Sequence, residues 1–137
     1  MLSNYYTLKY LADTAAPALA GRVLSGMFTQ EKDELVLSFS PSSASLVISC
    51  RPDASTFYLR SEIARARRNS VDIMEECRNV RLRHLAIAPG DRIIQLALED
   101  GRLLAAQLFG PKSNVLLVHN GTVMNAFKQA KELTGSR

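Results

Sequence analysis

The sequence predicts an α+β domain in which an antiparallel β-sandwich is flanked by helices. Three observations carry this reading. Strand-like segments recur at spacings of about ten residues with polar turns between them. Asp100-Gly101 and Asn120-Gly121 are strong hairpin signals, because a tight hairpin turn needs positive φ angles. Residues 4–20, by contrast, place their apolar side chains at helical spacing.

In chain order, Leu8, Leu11, Ala12, Ala15 and Leu19 form the buried stripe of a first helix. Pro17 interrupts it, since an interior proline removes a hydrogen bond at a cost of roughly 3 kcal/mol. A kink or break near Asp13-Thr14 is therefore expected, with Gly21 as the C-terminal cap. Strands follow over 22–28, 34–39, 45–50 and 55–59, separated by the polar loop 29–33 and by turns at Pro41-Ser42-Ser43 and Arg51-Pro52-Asp53. The period then changes. Ser70 caps an expected middle helix whose Ile73, Met74 and Cys77 face inward while Glu75, Glu76 and Arg78 face water. Residues 65–69 read as either its first turn or a mobile basic loop. A strand over 81–87 leads through Pro89-Gly90 into a four-strand meander. In that meander Ile94, Leu96 and Leu98 share one face, as do Leu104, Ala106 and Leu108 of the next strand. Gly110-Pro111-Lys112 breaks the second strand, and Val115 and Leu117 oppose Leu116 and Val118 in the third. The layout is helix, four strands, helix, five strands. Residues 1–128 form the expected domain, and the polar residues 129–137 read as the truncated start of a following region.

Composition narrows the function classes. A chain of 137 residues with 47% hydrophobic side chains is large enough to bury one core without disulfides or metal. No apolar run approaches the length of a membrane span, and the N-terminus lacks a basic segment followed by an apolar one. No membrane partner and no secretory signal are expected. Cys50 and Cys77 are isolated and lack metal spacing, so they read as reduced thiols of a cytoplasmic protein. The net charge of +4 and pI near 9.3 favour an anionic partner only weakly. Their distribution says more: Arg60, Arg65, Arg67, Arg68, Arg78, Arg81 and Arg83 crowd the middle of the chain, with Arg92 close behind. The planar guanidinium fork suits phosphate. The cluster reads either as a solvated face or as a surface that tracks a nucleic-acid backbone. Few aromatics lie near it, so phosphate contact is expected rather than base stacking.

No catalytic constellation stands out. His84 and His119 lie outside any metal or triad spacing, the serines lack a G-x-S-x-G elbow, and the seven glycines are scattered at turns rather than gathered in a phosphate loop. No enzyme activity, metal or cofactor is expected. Two short segments are not explained by packing: Gly90-Asp91-Arg92 at the entry to the meander, and Gly110-Pro111-Lys112-Ser113-Asn114 at its second turn. Each also has a plain reading, as a salt-bridged strand edge and as a turn whose Asn114 caps the next strand.

Three segments together resemble the N-terminal domain of the NFACT proteins, the group that includes bacterial RqcH, eukaryotic NEMF and proteins labelled fibronectin-binding protein A. Ala20-Gly21-Arg22-Val23 through Gln30-Glu31-Lys32-Asp33-Glu34-Leu35 is similar to the family's G-R-I, spacer, Q-x-K-x-E-L pattern. Gly90-Asp91-Arg92-Ile93-Ile94 matches its D-R-I-I segment, and Gly110 to Leu117 resembles its G-R-x-S-N-I-I-L segment. The opening Asn4-Tyr5-Tyr6 fits a subgroup. Pro111 stands where the family has arginine, with Lys112 one place on.

The resemblance implies a fold related to the N-terminal domain of formamidopyrimidine-DNA glycosylases. Glycosylase activity does not come with it, since the chain begins Met1-Leu2-Ser3 rather than with the catalytic proline and glutamate. The implied function is a tRNA- and ribosome-binding module of a ribosome-associated quality control factor. Such factors bind obstructed large subunits, through tRNA and rRNA, and support template-free C-terminal alanine tailing. Asp91 and Arg92 would contact tRNA, with Lys112, Asn114, Arg65, Arg67 and Arg68 as auxiliary nucleic-acid contacts. The alternatives are a fibronectin-binding, adhesin-type interaction domain, after the family label, and a structural scaffold.

Overall fold

The computed structural model describes residues 4–40, 45–60 and 70–135. Helix α1 (Tyr5–Leu19) starts where the Asn4 side chain accepts the Thr7 N–H at 2.9 Å, and it buries Leu8, Ala12, Ala15 and Leu19. It does not break at Asp13-Thr14. Pro17 sits on the exposed face while the buried stripe runs past it, so packing overrides the missing hydrogen bond. Gly21 turns at φ +83° and donates its N–H to Leu82.

The nine expected strands are all present. The first four, β1 (Val23–Thr29), β2 (Glu34–Ser40), β3 (Ser45–Arg51) and β4 (Ala54–Arg60), form one antiparallel meander. The middle helix is absent from the described residues. Val71–Asp72 is instead a two-residue strand, β5, paired with the end of β1, and Ile73 donates to the Met27 carbonyl. Those bonds commit the backbone to an extended path. Met74 then turns left-handed, and only a 3₁₀ turn at Glu75–Cys77 follows before Asn79, also left-handed, ends it. The expected sidedness survives this change of backbone: Met74 and Cys77 are buried, while Glu75, Glu76 and Arg78 are exposed.

The second meander comprises β6 (Val80–Ile87), β7 (Ile93–Leu98), β8 (Leu103–Gln107), β9 (Asn114–His119) and β10 (Thr122–Ala126). Both Asn120 and Gly121 have positive φ, as a two-residue hairpin turn requires; at Asp100-Gly101 only the glycine does. A single helical turn, α2 (Ala130–Leu133), follows, and Gly135 donates to the Val123 carbonyl, so residues 129–135 stay fastened to β10. Among the described residues, the flanking helices of the expectation thus reduce to one substantial helix, α1.

Every described strand pair is antiparallel, and the order is β10-β9-β8-β7-β6-β1-β2-β3-β4. The two meanders meet at a short seam, Val23 opposite Arg81 and Leu24 opposite Val80. Although β4 lies at one edge of this order, its Ser55 hydroxyl accepts the N–H of Gly110, which follows β8. The sheet therefore curls back on itself. Leu35, Leu37, Ile48 and Phe57 from one half join Leu96, Leu104 and Leu117 from the other, with Leu8 and Leu19 of α1, in one buried core. Each such side chain contributes about 1.5–3 kcal/mol on burial. A smaller cluster of Phe28, Val36 and Val47 lies across β1, β2 and β3.

Candidate functional site

The two segments singled out by sequence lie at one end of the second meander. Ile93 pairs with Gln107, and Gln107 pairs with Asn114, so the starts of β7 and β9 and the end of β8 stand in a row. Asp91-Arg92 precedes the first of these and Lys112-Ser113 the last.

A tight turn presents the Asp-Arg pair. The Asp91 N–H donates to the Ala88 carbonyl and the Ala88 N–H to the Ile93 carbonyl, with Gly90 at φ +73° between them. The Asp91 carboxylate accepts the Arg92 backbone N–H at 2.8 Å, and the Arg92 carbonyl accepts from Leu108 at 2.9 Å. The backbone is thus held on both sides. Asp91 is exposed and Arg92 half-buried, with its guanidinium 6.0 Å from the centre of the Phe109 ring. Among the described residues the guanidinium makes no ion pair, and none of them forms with it the salt-bridged edge that would explain the pair structurally.

The second segment is a 3₁₀ turn at Gly110–Lys112, with Gly110 at φ +63°. It is buttressed by the β3–β4 hairpin: Gly110 donates to Ser55, and a Cβ at Gly110 would touch the Pro52 carbonyl at 3.6 Å. Lys112 is exposed and without an ion pair among the described residues. Asn114 does different work. Its carboxamide accepts from the backbone of Val115 and of Lys128 and donates to the Lys128 carbonyl, each at 2.8 Å. This buried clip joins β9 to the end of β10, as in the plain capping reading of Asn114. Any contact to a ligand would compete with it.

Lys128 is the residue that sequence reasoning missed. Its ammonium lies 2.9 Å from Asp33 Oδ1 and donates to the Cys50 carbonyl at 3.2 Å, linking the second meander to the first. These partners are too far apart in sequence for any local pattern to reveal them. Phe109 was missed for the same reason, since its role depends on β7 lying beside β8.

Arg81 and Arg83 of the arginine cluster do not join this site. Arg65, Arg67 and Arg68 lie outside the described residues. Arg81 and Arg83 are exposed on β6, about 20 Å and about 13 Å along the strand from Ile87, which is where the Asp-Arg turn begins. Arg81 also pairs with Glu99 at 3.3 Å and donates to the Gly21 carbonyl. The Cys50 and Cys77 thiols are both pushed up to about 11 by burial. No three His, Cys, Asp or Glu side chains among the described residues are placed to hold a metal ion. None of the described helices is long and apolar enough to cross a membrane.

No family model and no curated protein sequence matches the chain. Solved structures do. The fold is similar to the N-terminal domain of fibronectin-binding protein PavA from Streptococcus pneumoniae, with a TM-score of 0.79 and 18% identity over 96% of this chain and 58% of that one. It is similar to the N-terminal part of the fibronectin/fibrinogen-binding protein FBPS from Streptococcus suis, at a TM-score of 0.72 and 18% identity over 86% of this chain and 50% of that one. A fibrinogen-binding protein from Staphylococcus aureus matches with a TM-score of 0.71 and 17% identity over 92% of this chain and 50% of that one. At such identities the likeness establishes the fold. The chain spans between 50% and 58% of the length of these structures.

Proposed function

We propose that this domain is an NFACT-type binding module, without enzyme activity, whose Asp91-Arg92 end contacts tRNA and large-subunit rRNA in cytoplasmic ribosome-associated quality control. Support for alanine tailing would then fall to the whole protein, and kinship with the glycosylase N-terminal fold belongs to the same reading. One observation carries it. Arg92 is held by backbone bonds on both sides, yet its guanidinium makes no ion pair among the described residues, and the uncompensated Lys112 lies at the same end of the sheet. A guanidinium carried on a held backbone next to a carboxylate can hold phosphate while the carboxylate accepts from ribose or base donors.

A second reading is favoured directly by the names of the similar structures: a protein-interaction domain that takes fibronectin or fibrinogen. The two readings separate in one experiment. Binding of labelled tRNA and of immobilised fibronectin is measured at two salt concentrations, for the wild type and for Asp91→Ala/Arg92→Ala. The tRNA reading expects affinity that falls steeply with salt and drops further in a folded double variant. Fibronectin binding indifferent to the substitutions, with no tRNA binding, would replace it with the second reading.

A further inference from the structure

The second meander is apolar on both faces. Leu103-Leu104-Ala105-Ala106 in β8 and Val115-Leu116-Leu117-Val118 in β9 are continuous apolar runs, the pattern of strands covered on both sides. Leu104, Ala106, Val115 and Leu117 fill the core. Leu103, Ala105, Leu116 and Val118 stand on the other face, outside the core cluster; Ala105 is 9% exposed and the other three are half-buried. A sheet face left to water carries polar side chains at these alternate positions.

The register gives this face relief. Ala97 pairs with Leu103, and Ala105 pairs with Gln95 on one side and Leu116 on the other. The two alanines therefore lie on one diagonal, between a ridge of Gln95 and Gln107 and a ridge of Leu103 and Leu116. This trough runs from His84, the partner of Ala97, to Asn114, the partner of Gln107. Three strand spacings across and four residues along make it about 20 Å long. Exposed cations stand at both ends, Arg83 beside His84 and Lys112 just before Ser113-Asn114, and neither makes an ion pair among the described residues.

We propose that this face docks an α-helix of about 13 residues from a partner protein, apolar along one stripe and acidic near both ends. A helix seats its backbone where side chains are smallest, so the alanine trough takes the axis. The leucine ridge then meets the apolar stripe and the glutamine ridge the polar flank. Arg83 and Lys112 select the carboxylates. A second copy of this chain is the poorer occupant, because it would set these cations against its own on a chain of net charge +4. The surface goes beyond the nucleic-acid reading and does not involve the Asp91-Arg92 turn.

The test is a selection of random peptides displayed on phage against the folded chain, with Leu103→Gln/Leu116→Gln as the counter-target. Selected peptides, synthesised singly, are expected to share apolar residues at i, i+3, i+4 and i+7 with Asp or Glu near both ends. They should become helical on binding and shift the amides of Ala97, Ala105 and Leu116. Affinity should fall about tenfold or more in the leucine double variant and about threefold or more in Arg83→Glu. Arg83 is exposed, so its variant keeps the experiment decisive if the leucine substitutions disturb the fold. No enrichment, or peptides that bind extended, lack acidic residues or bind the variants equally well, overturns the proposal. So does a dimer of the wild type in sedimentation that Leu103→Gln/Leu116→Gln dissolves, which would give the face to a second copy.

Discussion

Lys128 Nζ lies 2.9 Å from Asp33 Oδ1, and this contact fastens the end of the second meander to the β1–β2 connection of the first. Both side chains are less than one-third exposed, at 30% and 22%. Such a pair is screened less than an ordinary surface bridge, and losing one partner strands the other. The same ammonium supports the Cys50 carbonyl, so one side chain braces the open side of the curled sheet.

Lys128→Met should accordingly destabilise the domain by about 1–2 kcal/mol in urea unfolding. Asp33→Asn is the suitable partner substitution, because Asp33 has φ +64° and asparagine tolerates that conformation. In the double-mutant cycle the two losses should be less than additive, by about 0.5–1 kcal/mol. Simple additivity would show that the contact contributes nothing in solution.

Asp100 sets an acid-side dependence. Its carboxylate takes hydrogen bonds from the Arg102 guanidinium at 2.6 and 2.7 Å and from the Arg102 backbone N–H at 3.0 Å, which hold it below the usual carboxylate value. A group depressed on folding stabilises above its unfolded value of 3.8 and loses that contribution as pH falls through the folded one. The melting-temperature gap between the wild type and Asp100→Asn should therefore be widest near neutrality and narrow as pH falls through 3.8 and below. A gap that does not change with pH would sink this assignment.

Pro17 is a place where the fold tolerates a defect. Its ring denies the Asp13 carbonyl a donor within α1, yet the helix continues to Leu19. Pro17→Ala restores that bond on an exposed face. The variant should gain about 1–2 kcal/mol, the helix gain less the unfolded-chain entropy that proline had removed. The check is the urea midpoint. If it does not move, α1 already relieves the clash.

Local pattern was legible wherever a structural decision is made by neighbours in the chain. Alternation placed Ile94, Leu96 and Leu98 on the buried face, and Asn120-Gly121 turned as its residue types require. The middle segment was misread because Met74 and Cys77 suit a helical face equally well, while the decisive bonds, Val71 with Thr29 and Ile73 with Met27, come from a strand far upstream. At the candidate site the sequence singled out Asp91, Arg92 and Lys112. It hid Lys128, whose partners Asp33 and Cys50 lie in the first meander, and it left open which of two roles Asn114 would take.

The short seam has a consequence for how the chain reaches this state. Apart from the contacts of β1 with β5 and β6, every strand pairs with its neighbour in sequence, so contact order within each meander is low. Each half can zip up by successive hairpins without waiting for the other. The seam instead joins Val23 to Arg81 and Leu24 to Val80, a closure whose entropy is recovered only once both halves exist. In a pulse-labelled refolding experiment the hairpin amides should be protected first and the Leu82 amide, which bonds across the seam to Arg22, last. Early protection at Leu82 would instead make the seam the nucleus around which the two halves assemble.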